Sequence, residues 1–126
     1  MRRVVDTDAA PRPIGPYTQA IDTGALVFCA GQIGLDPTTG TLVGGGTPVE
    51  AERAIQNLEA VLQAVGLELG DVVKTTLFLV DLADAPAVSA IYARRFPTPY
   101  PARSTVQVAA LPAGARVEIE AVAVRR

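Results

Sequence analysis

The sequence predicts an α+β fold in which helices cover one face of a mixed β-sheet. Two observations lead to this prediction. Apolar residues between Ala51 and Val65 recur at three- and four-residue steps, the period of an amphipathic helix. The order of patterns along the chain is hairpin, helix, strand, helix and two strands, which is typical of this class. Since 126 residues leave room for one domain, we expect residues 1–126 to form a single unit.

A hairpin and a helix are the first predicted elements. Strand-like segments at 17–21 and 26–30 are joined by Asp22-Thr23-Gly24, whose residue types favour a turn. The helix begins with Thr47-Pro48-Val49-Glu50, a capping-box pattern in which hydroxyl and carboxylate would satisfy free backbone N–H groups. Gly66 is expected to end this helix in a left-handed conformation.

The second half of the chain predicts three more strands and another helix. Residues 71–80 are nearly all apolar or β-branched, which indicates a central strand covered on both faces. Asp84-Ala85-Pro86 opens a helix that Pro97 stops. Polar and apolar residues then alternate in 103–108 and 117–121, as in strands exposed on one face.

The composition excludes several kinds of catalysis. The chain has no His and one Cys, Cys29, so it cannot build a Ser-His-Asp triad, a structural zinc site or an internal disulfide. Cys29 itself is expected to be a small buried hydrophobe. Any catalysis must therefore use Arg, Asp, Glu, Tyr, backbone groups and water, and we expect no metal site.

Charge and hydropathy argue against nucleic-acid and membrane partners. The net charge is −2, and the basic residues form only three pairs, Arg2-Arg3, Arg94-Arg95 and Arg125-Arg126. A nucleic-acid binder usually shows a basic face, so we expect no such partner. No apolar run could span a bilayer, and residues 1–6 lack the apolar core of a signal peptide. These features favour a cytoplasmic protein.

Individual candidate site residues each have an ordinary structural interpretation. Arg103 starts a strand after Pro101-Ala102, so its guanidinium could grip a carboxylate, although the local pattern favours an exposed strand-end arginine. Glu118 and Glu120 share one strand face, which is either solvated or placed to orient water. Tyr17 is either a core aromatic with a wet hydroxyl or part of a pocket wall.

Two further positions are equally open. The segment 30–34, Ala-Gly-Gln-Ile-Gly, either presents bare backbone N–H groups to an anion or is merely a tight turn. Lys74 lies in a predicted strand, where a solvated or ion-paired amine is favoured over a Schiff-base lysine.

Considered together, five segments resemble the RidA-like reactive intermediate deaminase family, also called YjgF or L-PSP. They follow the family's order and spacing over essentially the whole chain: Ile14-Gly15-Pro16-Tyr17-Thr18-Gln19-Ala20, Ala30-Gly31-Gln32-Ile33, Gly70-Asp71-Val72-Val73-Lys74-Thr75-Thr76, Pro101-Ala102-Arg103-Ser104-Thr105-Val106 and Val117-Glu118-Ile119-Glu120-Ala121-Val122-Ala123. The Pro-Ala-Arg-Ser and Glu-Ile-Glu motifs are the specific part of this resemblance.

The resemblance implies a fold like that of Bacillus-type chorismate mutase, with two helices on one face of a six-stranded mixed sheet. It also implies a homotrimer with clefts between subunits. Deaminases of this family hydrolyse 2-imino acids such as 2-iminobutanoate and 2-iminopropanoate, or the corresponding enamines, to 2-oxo acids and ammonia without a cofactor. Members without this activity usually lack the arginine that Arg103 matches.

Residue roles also follow from the resemblance. Arg103 matches the carboxylate-binding arginine, Glu118 the glutamate that orients water and Tyr17 the cleft tyrosine. Backbone N–H groups near Gly31 and Thr105 are expected to bind substrate oxygen atoms.

This sequence departs from relatives at three places near the expected site. Thr105 replaces a cysteine of well-studied members, and Ala30, expected beside the substrate, replaces a serine of some. The loop 94–102 is shorter than in some relatives. Two other function classes remain open: a module that binds small carboxylates without turnover and, ranked lower, an endoribonuclease or translation inhibitor.

Overall fold

One six-stranded sheet with two helices on a single face forms the protein. The computed structural model describes residues 1–126. The strands are β1 (Arg3–Val5), β2 (Ala20–Asp22), β3 (Leu26–Ile33), β4 (Val72–Leu79), β5 (Ala102–Gln107) and β6 (Val117–Val124), and the helices are α1 (Thr47–Gln63) and α2 (Ala85–Arg95). The strand order is β1-β2-β3-β6-β4-β5, and only β4 and β5 run parallel. The predicted α+β class and mixed six-stranded sheet are confirmed.

The core lies between the sheet and the helices, where α1 buries the apolar stripe that its sequence predicts. Ile55, Leu58 and Leu62 are at most 1% exposed. After the helix, the Gly66 N–H donates to the Gln63 carbonyl and the Leu67 N–H to the Leu62 carbonyl. This pair of bonds is a Schellman motif, and Gly66 adopts the predicted left-handed conformation at φ 76°.

The predicted capping box at the start of α1 is wrong, because its two polar side chains make tertiary contacts. The buried Glu50 carboxylate accepts the backbone N–H of Arg116 at 2.8 Å. Thr47 Oγ1 donates to Asp84 Oδ2 and accepts from Arg116 Nε, both at 2.9 Å. Gly46 occupies the N-cap position. The contacts join the starts of α1, α2 and β6, so they fix the strand that carries Glu118.

Residues 30–34 form no tight turn. The segment continues β3, whose register with β6 jumps from Cys29 opposite Ala121 to Gln32 opposite Ile119. Ala30 and Gly31 therefore face the single residue Glu120 in a β-bulge, which bends the strand and leaves both residues outside the ladder.

One face of the sheet is open, so the prediction that β4 is covered on both faces is wrong for a single chain. Leu77 and Leu79 are buried against the helices, but Phe78 between them faces away and is only partly buried. An apolar row crosses the open face in register: Val4, Ile21, Phe28 and Val122. Phe28 is 47% exposed in this row.

Asn57 connects α1 to the end of β3. It is completely buried, and its Nδ2 donates to the carbonyls of Ile33 and Leu35 at 3.0 and 2.9 Å. These two bonds satisfy backbone groups that lie next to the bulge.

We expect Asn57→Leu to lower the free energy of unfolding by about 2 kcal/mol, because two buried carbonyls lose their donor. Urea denaturation at fixed protein concentration measures this change. Gln56→Leu is the matched control, since Gln56 makes only one 3.4 Å side-chain bond on the same helix. Equal stability of the two variants would contradict the role given to Asn57.

Candidate functional site

Three predicted site residues, Tyr17, Gly31 and Glu118, line one cavity of about 190 Å³. Glu118 lies on the face of β6 that points away from the helices, and its side chain packs directly over Gly31. A Cβ built on Gly31 would overlap the Glu118 carboxylate, so any other residue at this position would force the glutamate side chain to move. The bulge thus brings bare backbone beside a carboxylate.

Ala30 is the other residue of the bulge, and its N–H donates to the Gln19 carbonyl at 2.9 Å.

 Ala30 lines a larger concavity of about 870 Å³ on the open face of the sheet, together with Tyr17 and Glu120. The structure therefore places Ala30 next to the Glu118 cavity and not in its wall.

Gln19 also lines this cavity, and the sequence analysis did not single it out as a site residue. It is 2% exposed, and its Nε2 donates to the carbonyls of Thr7 and Pro11 while its Oε1 accepts the Thr7 N–H. These bonds hold residues 7–11 against the start of β2, so Tyr17 lies in a fixed loop and not in the predicted strand. The sequence offers no local signal for this role, because Thr7 and Pro11 lie twelve and eight residues away from Gln19.

Burial and charge both act on Glu118. Partial burial raises the pKa of its carboxyl above the ordinary value, and the nearby negative charge of Glu120 raises it further. The two glutamates share one strand face, as the sequence predicts, and Glu120 is the more exposed. Glu118 can therefore hold a proton at a higher pH than a free glutamate, which suits a group that gives and takes protons.

Arg103 lies in a different cavity, of about 330 Å³, between β5 and α2. Its Nη2 donates to Ser89 Oγ at 3.0 Å, and its Cζ lies 4.8 Å from the centroid of the Tyr92 ring. The side chain is exposed, as the local pattern of a strand-end arginine predicts, and these two contacts also hold it against α2.

A single chain does not bring Arg103 and Glu118 together. Arg103 points towards α2, whereas Glu118 lies on the opposite face of the sheet. Glu118 pairs with Phe78, which pairs with Val106 three residues along β5 from Arg103. At ordinary strand spacings their Cα atoms are therefore roughly 14 Å apart.

Thr105 lies on β5, the strand at one edge of the sheet. The Val108 N–H donates to the Leu79 carbonyl of β4. Because N–H directions alternate along a strand, the N–H groups of Thr105 and Arg103 point to the free edge. They lie on the same strand as the guanidinium, whereas Gly31 lies beside Glu118.

Cys29 and Lys74 carry chemically reactive groups, but both have structural roles here. Cys29 is 7% exposed, and burial raises the pKa of its thiol to about 12, so the prediction of a small buried hydrophobe is confirmed. Lys74 Nζ donates to Ser104 Oγ at 3.0 Å in an exposed position, without the ion pair that was one of its expected arrangements.

The paired arginines do not form a basic face. Arg3 and Arg125 both approach Asp22, at 3.6 and 2.7 Å, and Arg95 pairs with Glu52 and Glu59. Most of this positive charge is therefore balanced by carboxylates within the chain. None of the helices is long and apolar enough to cross a membrane.

Comparison with known proteins identifies the kind of molecule that has this fold and these two cavities. A family model described as Endoribonuclease L-PSP matches residues 7–125. The human 2-iminobutanoate/2-iminopropanoate deaminase is 47% identical over 125 residues, which cover 99% of this chain and 91% of that protein.

Solved structures show the same relationship as the sequence comparisons. A Thermotoga maritima protein superposes with a TM-score of 0.97 at 47% identity, over 100% of this chain and 99% of that one. Escherichia coli TdcF, solved with bound serine, has a TM-score of 0.92 at 39% identity, over 98% and 99% of the chains. The fold is thus that of a group of small α+β proteins. Within that group, the chain belongs to the RidA-like family, also called YjgF or L-PSP, as its motifs predict.

We expect Glu120→Gln to lower the pKa of Glu118, because a negative charge that opposes its ionisation is removed. The pKa should remain above the ordinary glutamate value, since burial is the larger cause and persists. Carboxyl-carbon NMR titration measures the shift. Glu52→Gln removes the same charge from α1 and should leave Glu118 unchanged; an equal shift in both variants would contradict the assignment.

Proposed function

We propose that this protein is a 2-iminobutanoate/2-iminopropanoate deaminase that hydrolyses reactive 2-imino acids, or their enamine tautomers, to 2-oxo acids and ammonia in the cytoplasm. The observation that carries the proposal is the Glu118 carboxylate, with its raised pKa, lying over the bare backbone of Gly31. Curated relatives over nearly the full chain length are named for this activity, including the human and mouse proteins.

The active unit in this proposal is a homotrimer with a chorismate mutase-like fold. Each chain carries Arg103 on one face of the sheet and Glu118 on the other, so a complete site needs residues from two chains. A ring of identical chains can join the two halves through one repeated head-to-tail contact. The apolar row through Phe28 on the open face supplies surface that such a contact would bury.

Substrate binding in this site depends on Arg103. A 2-imino acid carries a carboxylate next to its C=N bond, and a guanidinium can hold both carboxylate oxygens through two parallel N–H bonds. The backbone N–H groups of Thr105 and Gly31 are the proposed additional donors to substrate oxygen atoms. Tyr17 forms the wall of the cavity, and Ala30 lies beside it.

Hydrolysis then requires water and proton transfers at one position. Glu118 accepts a proton from the attacking water as the water oxygen bonds to the imine carbon, and it passes that proton to the imine nitrogen, which gives a neutral adduct with one hydroxyl and one amino group. Glu118 then takes the hydroxyl proton and delivers it to nitrogen as the C=O bond forms and the C–N bond breaks, which releases ammonia and leaves the 2-oxo acid. Positioning together with acid–base catalysis of about 10²–10⁴-fold suffices, because the C=N carbon is already electrophilic. The chemistry therefore needs no cofactor.

Two other functions are less well supported. The serine bound in TdcF favours a second candidate, a module that binds small carboxylates without turnover. Calorimetry that shows Arg103-dependent binding of 2-oxobutyrate without imine hydrolysis would select it. The endoribonuclease of the family description is opposed by the carboxylates that balance Arg3, Arg95 and Arg125.

Arg103→Ala is expected to reduce kcat/KM for 2-iminobutanoate by at least about 100-fold, because the substrate loses its carboxylate anchor. The assay follows decay of the imine that a threonine dehydratase releases. Arg94→Ala is the control, since Arg94 is an exposed arginine on α2. Unchanged decay with Arg103→Ala would remove the proposed mechanism.

Mixing two inactive variants tests whether the site spans two chains. Arg103→Ala and Glu118→Ala homotrimers are each expected to be inactive. After they are unfolded and refolded together in equal amounts, random assembly should complete about one quarter of the sites, because each site takes one residue from each of two neighbours. Activity that stays at the level of the separate variants would show that both residues act within one chain.

A further inference from the structure

We infer that Tyr92 is a positioning residue for Arg103: its fixed ring holds the guanidinium in the orientation that receives the substrate carboxylate. The inference rests on the proposed function, because it assigns a role to the ring beneath the proposed carboxylate anchor. Tyr92 lies in the middle of α2, in a position that its sequence pattern marks only as part of the apolar stripe.

Burial, one hydrogen bond and an aromatic neighbour immobilise the Tyr92 ring. Tyr92 is 4% exposed, and its hydroxyl makes a 2.8 Å hydrogen bond with Thr75 Oγ1 on β4, where Thr75 is completely buried. The ring also stacks on Phe96 with centroids 4.2 Å apart. A ring that is packed in this way and anchored at its hydroxyl end has one orientation, which β4 sets.

Arg103 occupies the exposed edge of this arrangement. Its Cζ lies 4.8 Å from the Tyr92 centroid, within the range of a cation–π contact. Strand register places Arg103 directly beside Thr75, the residue whose hydroxyl bonds to Tyr92. The pairing of β4 with β5 therefore sets where Arg103 lies relative to the ring. The Nη2 atom also donates to Ser89 Oγ. One edge of the guanidinium is therefore held by α2, and other N–H groups remain free for a ligand.

The fixed ring should affect the binding of the substrate carboxylate more than the hydrolysis step. An exposed arginine samples many rotamers, and binding a carboxylate requires that freedom to be lost. Stacking on a fixed ring removes part of that freedom before the substrate arrives. Loss of the ring should therefore weaken carboxylate binding, while the proton transfers at Glu118, which the neighbouring chain supplies in the proposed trimer, proceed as before.

Four variants test the inference, with KM and kcat measured for 2-iminobutanoate and Kd measured by calorimetry for 2-oxobutyrate. Tyr92→Leu is expected to raise KM and Kd about tenfold and to change kcat less than about twofold, since preorganisation acts on binding. Tyr92→Phe keeps the ring and is expected to restore both constants to within about threefold of wild type. Val88→Ala is the matched control, because Val88 is buried four residues earlier in α2. It should leave KM and Kd unchanged.

The fourth variant, Arg103→Ala, separates the two proposals. If it leaves KM and Kd unchanged, the proposed function fails. If it abolishes binding while Tyr92→Leu behaves like Val88→Ala, only the positioning role of Tyr92 is overturned. Should Tyr92→Leu fail to fold, NMR relaxation of the Arg103 Nε–H in the wild-type protein decides instead. An order parameter of about 0.85 supports a held guanidinium, and one below about 0.6 overturns the inference.

Discussion

The two-residue alternation of β-strands is the constraint on which the arrangement of this protein depends. It turns Arg103 towards α2 and Glu118 to the opposite face, and the strand order places β4 between them. No rotamer change within one chain brings two such groups to a single small substrate. The same alternation gives the open face its apolar row, so this exposed surface and the separation of Arg103 from Glu118 arise from one geometric cause.

Without histidine, proton transfer near neutral pH depends on how the fold changes the properties of a carboxyl group. The β-bulge in β3 allows Glu118 to lie over Gly31, partly out of water, and Glu120 adds a negative charge from the next position on the same face. Both effects oppose ionisation, so the carboxyl pKa moves towards the range that imidazole usually serves. In this respect Gly31 matters as much as the glutamate, since any side chain there would displace the carboxylate.

The elements that could be predicted from the sequence are those determined by local periodicity. The stripe of α1, the left-handed Gly66 and the shared face of Glu118 and Glu120 follow from spacings of two to four residues. Thr47 and Glu50 fit a local capping rule, but the structure uses them in contacts with Arg116, which is more than 60 residues away in the chain. Such a partner cannot be read from a short pattern.

Contacts over long sequence distances also explain the other differences. The three residues of β1 are too few to produce a periodic signal, and the strand exists because it pairs with β2. The bulge at Ala30 and Gly31 is defined by its register with β6, which lies at the other end of the chain. Motif resemblance supplied what periodicity could not, since family motifs retain the result of those distant contacts. The replacement of cysteine by Thr105 is compatible with this logic, because the proposed contact there uses a backbone N–H that every residue except proline provides.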